Sequence, residues 1–70
     1  MEKMISILVN GQPREVPAGK TLAELLVWLE VPADRVAVEL NKEIVRRTAW
    51  SSTSVAAGSE LEIVMFVGGG

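Results

Sequence analysis

Residues 61–70 read LEIVMFVGGG. A run of strand formers from Leu61 to Val67 passes straight into three glycines. Side chains alternate along a strand, so Leu61, Ile63 and Met65 share one face, and Glu62, Val64 and Phe66 share the other. Only Glu62 is charged. A strand apolar on nearly both faces belongs in the middle of a sheet. Glu62 marks the second face as the wetter one. Val64 and Phe66 then form an apolar patch, either exposed or covered by the segment around Trp50.

A partner for this strand stands near the start of the chain. MISILV, residues 4–9, sets Ile5, Ile7 and Val9 against Met4, Ser6 and Leu8, again with two largely apolar faces. Asn10-Gly11 is a hairpin signal, because both residues accept positive φ. QPREV, residues 12–16, is polar and holds Pro13, which cannot donate to a ladder, so it reads as an edge strand. Next, Thr21 and Glu24 have the spacing of a capping box. Leu22, Leu25, Leu26 and Leu29 then fall on one helical stripe, with Trp28 packing at its boundary. Pro32 closes the helix by pushing Val31 towards extended backbone. VAVEL, residues 36–40, alternates as a half-buried strand, and Asn41-Lys42 turn the chain into a short strand, EIVRR, residues 43–47. Residues 48–60 show no period. Trp50 and Val55 anchor this stretch, Trp50 in the core, and Gly58 suits a turn before the last strand.

A parallel pairing of first and last strands, with one helix across one face, accommodates all of these elements. The expected fold is α+β: a ubiquitin-like β-grasp with a mixed sheet of four to five strands. Residues 1–67 make the domain, and 68–70 a flexible glycine tail.

Composition removes most chemistry. The 70 residues include no Cys and no His, which excludes thiol nucleophiles, thiolate metal sites and imidazole bases. The nine acidic residues are scattered, with no close cluster to suggest a metal cage. A net charge of -2 argues against a nucleic-acid partner. No apolar run approaches the roughly 20 residues of a membrane helix, and MEKMISI lacks the apolar segment of a secretory signal. The expectation is a cytoplasmic, soluble domain that is not itself an enzyme and binds no cofactor.

Three extended glycines reach about 10 Å at ~3.3–3.6 Å each. Without Cβ atoms they make a ribbon that enters clefts closed to other residues, and they leave the last carbonyl unshielded. A carboxylate becomes an acyl donor only after activation, for example as an acyl-adenylate. No residue of this chain performs that activation, so a partner supplies it and the tail is a substrate. If sulfur then attacks, the product is a thiocarboxylate.

The chain resembles the ThiS family of sulfur carriers in thiamine-thiazole biosynthesis. TLAELL at residues 21–26 is similar to the family's helix start, VAVELNKEIVRR with Trp50 to its third and fourth strands, and GSELEIVMFVGGG to its closing strand and tail. The resemblance implies that Gly70 carries the adenylate and then the sulfur, with Gly68 and Gly69 recognised as tail. It implies a ThiF-like adenylating enzyme using ATP, a cysteine desulfurase as sulfur source and a ThiG-like thiazole synthase as acceptor. The alternatives are a MoaD-like carrier for molybdopterin synthesis, a ubiquitin-like protein modifier joined through Gly70, and a binding module with a passive tail. Partner docking is expected at Val64 and Phe66, assisted by Arg46 and Arg47 on a neighbouring short strand.

Overall fold

A computed structural model describes residues 3–66. Five strands form one sheet: β1 (Met4–Val9), β2 (Gln12–Pro17), β3 (Val36–Leu40), β4 (Glu43–Ile44) and β5 (Glu60–Met65). Their spatial order is β2-β1-β5-β3-β4. β1 and β5 run parallel and every other neighbouring pair is antiparallel. The last strand is therefore central and pairs with the first, as the sequence predicts. One helix, α1 (Leu22–Trp28), covers one face.

The helix starts where its chemistry dictates. The Thr21 N–H donates to Glu24 Oε1 at 2.9 Å, and the Glu24 N–H donates to Thr21 Oγ1 at 3.2 Å. The backbone and hydroxyl donors of Thr21 hold the Glu24 carboxyl below its ordinary pKa. The stop differs from expectation. Glu30 takes φ 62°, and the N–H groups of Glu30 and Val31 fold back to the carbonyls of Val27 and Leu26. This reversal ends the helix at Trp28, four residues before Pro32.

Leu22, Leu25 and Leu26 press on Ile7, Val16, Val38 and Leu61, all buried. Trp50 closes the core from the helix side. It sits on a 3-10 segment, Arg47–Ser52, packed against α1, and its indole N–H donates to the Val45 carbonyl at 2.9 Å. The second face of the sheet is open. Central position thus does not mean burial on both sides: Met4 and Leu8 of β1 are exposed.

Both sheet edges are blunted. Pro13 stands across from Leu8 and Pro17 across from Met4. A two-residue turn makes Val9 and Gln12 a hydrogen-bonded pair, so bonding alternates through Ile7–Arg14 and Ile5–Val16. The prolines fall on the outward positions, where no donor is needed and none is offered. At the other edge, β4 has only two residues. The expected EIVRR strand stops there because Arg46 caps the 3-10 segment that carries Trp50 inward.

Both hairpin turns use left-handed backbone at two consecutive positions. Asn10 and Gly11 have φ 51° and 81°; Asn41 and Lys42 have 53° and 70°. Lys42 stands where glycine is preferred. A side chain in this region costs on the order of 1–2 kcal/mol, part of which is offset by the greater freedom of an unfolded glycine. Lys42→Gly is expected to raise the denaturation midpoint, by a net stabilisation of roughly 0.5–1 kcal/mol.

Candidate functional site

The candidate site is the end of β5 with the residue after it, Ile63 to Phe66, which leads to the glycines. On the open face, Val64 is 60% exposed and Phe66 61% exposed. Trp50 lies on the opposite side of the sheet, so the segment around it does not cover them. Val64 pairs with Ala37 of β3, and the Phe66 N–H donates to the Arg35 carbonyl at 2.8 Å. The backbone is thus held by β3 while both side chains stand in solvent.

Register adds charges that the linear sequence conceals. Glu62 lies directly across from Glu39, with Ile44 beyond it on β4. Glu60 belongs to the same face of β5. An acidic row therefore borders the Val64–Phe66 patch. Like charges directly opposite one another oppose folding slightly. The expected basic residues are elsewhere. Arg46 and Arg47 are exposed at the start of the 3-10 segment, with β3 between β4 and β5. Neither lies on a strand that pairs with β5.

Met65 was expected in the core with Leu61 and Ile63, yet it is 54% exposed. The helix has already ended at this level, so no described residue covers it. Instead Met65 and Ile63 form one wall of a groove of about 340 Å3, with Val9, Asn10 and Arg14 from the β1–β2 hairpin and Leu29, Glu30, Val31 and Pro32 from the helix end. Sequence reading missed this groove. Its signal is the early helix stop, which depends on the φ of Glu30.

Asn10 was also missed as more than a turn residue. Its N–H donates to the Leu61 carbonyl, and its Oδ1 accepts from the Ile63 N–H, both at 2.8 Å. Asn41 does the same on the other side, its Oδ1 accepting from the Glu60 N–H at 2.9 Å. Each turn asparagine extends a ladder onto the central strand. Among the described residues, no group of three or more acidic side chains is placed to hold a metal ion. Gly68, Gly69 and Gly70 lie outside the described residues, as does Val67.

A five-stranded mixed sheet with parallel first and last strands and one helix across it defines a ubiquitin-like β-grasp domain. Comparison with known proteins is more specific. The crystal structure of the thiamine biosynthesis protein ThiS from Geobacter metallireducens is 39% identical, with a TM-score of 0.83; the match covers 94% of this chain and 100% of that one. The sulfur carrier protein ThiS of Escherichia coli is 32% identical over 66 residues, covering 94% of this chain and all of the relative. A thiazole synthase of Paramagnetospirillum magneticum is 41% identical over 66 residues, covering 94% of this chain. The chain spans about a fifth (20%) of the length of that protein. The ThiS family profile matches residues 7–70. The chain belongs to the ThiS family.

Proposed function

We propose that the chain is a sulfur carrier for formation of the thiazole ring of thiamine. A Gly70 carboxylate oxygen attacks the α-phosphorus of ATP on a ThiF-like enzyme, and pyrophosphate leaves. Sulfur from a cysteine desulfurase, brought to the sulfide level by a thiol reductant, displaces AMP and leaves a thiocarboxylate. That sulfur passes to a ThiG-like thiazole synthase. The chain is the co-substrate in every step, and it works in the cytoplasm. The observation that carries this reading is the family match over residues 7–70, which runs through the glycines. Two relatives named thiazole synthase contain a segment similar to this chain within one longer polypeptide, which supports a thiazole synthase as acceptor.

Intact-mass analysis of protein purified from its own host tests the chemistry. The expected result is a population heavier by the exchange of one oxygen for sulfur, localised to Gly70. Gly70 found only in isopeptide bonds to lysines would favour a modifier instead.

The patch at Val64 and Phe66 is the proposed grip of the activating enzyme. Aromatic anchors often cost about 2 kcal/mol or more when truncated in an interface. Phe66→Ala is expected to weaken binding to the activating enzyme about tenfold or more, since ~1.4 kcal/mol is one decade. The melting temperature should stay native, because Phe66 is exposed and its backbone bond to Arg35 is retained. Titration calorimetry with a parallel thermal melt measures both.

A further inference from the structure

The backbone of β5 changes partners along its length. Its even-numbered residues bond to β3: Glu60 with Asn41, Phe66 with Arg35, and Glu62 and Val64 between them in register with Glu39 and Ala37. In an antiparallel ladder, the alternate residues then point their N–H and C=O away from β3. These are Leu61, Ile63 and Met65. On that side, β1 stays in register only at Glu60 and Leu61, and then turns away at Asn10-Gly11. The Asn10 side chain fills one more position by accepting from Ile63. Beyond it, among the described residues, nothing pairs with the Ile63 carbonyl or with the Met65 N–H and carbonyl. The central strand therefore carries an open edge inside the sheet, immediately before residues 67–70.

We infer that this notch is a docking site for an extended strand of the activating enzyme, which pairs with Ile63 and Met65 end-on to β1. The inference rests on the sulfur-carrier reading. Strand addition draws affinity from main-chain bonds and specificity from pockets for alternate side chains. Both are present. The groove of Val9, Leu29, Val31, Pro32, Ile63 and Met65 lies on the helix side of the notch and receives one apolar side chain of the incoming strand. Arg14 and Glu30 both line the same groove, so its rim offers one charge of each sign to the polar residues of that strand. The outer edges cannot take this role, since β2 faces its prolines outward and β4 has two residues. The notch holds the strand that leads into the glycines, so pairing there aims the tail along the enzyme's own backbone. The grip on Val64 and Phe66 is then one side of a two-sided hold.

Proline at alternate positions separates this role from folding. Met65→Pro removes an N–H that no described residue uses. Val64→Pro removes one that serves the β3 ladder. The expected result is that Met65→Pro melts close to native, is bound by the ThiF-like enzyme at least tenfold more weakly, and shows a matching rise in KM for adenylation. Val64→Pro should lose stability outright. Amide exchange of the unaltered chain decides the matter even if Met65→Pro fails to fold. The Met65 amide should exchange fast in the free protein and slow at least tenfold in the complex. An unprotected Met65 amide in a saturated complex, or native affinity of folded Met65→Pro, overturns the notch while leaving the carrier reading intact. Absence of any adenylation of the unaltered chain overturns the carrier reading and the notch with it.

Discussion

Capping the Gly70 carboxylate as an amide is expected to abolish adenylation while the domain still binds the activating enzyme. An amide nitrogen does not attack the α-phosphorus of ATP as a carboxylate oxygen does, and no Cys or His elsewhere offers a substitute nucleophile. Pyrophosphate release in the presence of ATP and the ThiF-like enzyme measures the loss, with unmodified protein as reference. Normal turnover of the amidated chain would remove Gly70 from the mechanism. Retained binding is the informative control. Val64, Phe66 and the groove all precede the glycines, so the proposed recognition of the body should survive when the chemistry is blocked.

Leu26→Ala lowers the unfolding free energy by about 2–5 kcal/mol. Leu26 is fully buried, and it stands with Leu22 and Leu25 over the central strand. Truncation loses the transfer of the removed carbons and leaves a cavity that a tight core fills poorly. Domains of this kind hold only about 5–15 kcal/mol in total, so much of the folded margin goes. Val27, the next residue, is exposed. Val27→Ala should change stability by no more than about 0.5 kcal/mol. Urea denaturation of the two variants side by side tests the helix face. An unmoved midpoint for Leu26→Ala would show that the stripe does not carry the core.

The elements legible in the sequence share one property: their signals are local. The Thr21–Glu24 box, the leucine stripe, Asn10-Gly11 and the alternation that begins at Leu61 each depend on residues within one turn or one strand. Pro13 marked an edge because a missing donor is a property of the residue itself. Such cues placed the five strands and the helix, and the apolar character of the first and last strands placed both inside the sheet.

Other features needed distant residues in register. Glu39 and Glu62 are far apart in the chain and become direct neighbours only when β3 pairs with β5. Arg46 and Arg47 read as strand residues, but the chain leaves the sheet after Ile44 to carry Trp50 under the helix. Met65 fits the apolar period yet lies past the reach of a helix that Glu30 has already stopped.

By itself the sequence determined the fold class, the central place of the last strand and the absence of Cys and His. Periodicity, capping and composition are properties of neighbouring residues, and they survive without knowing who packs on whom. Tertiary structure alone decided that Val64 and Phe66 are exposed, that an acidic row borders them, and that β5 outruns its pairing with β1. These depend on relative strand lengths and on the side from which Trp50 closes the core. Both are set by packing between segments far apart in the chain, which no local pattern encodes.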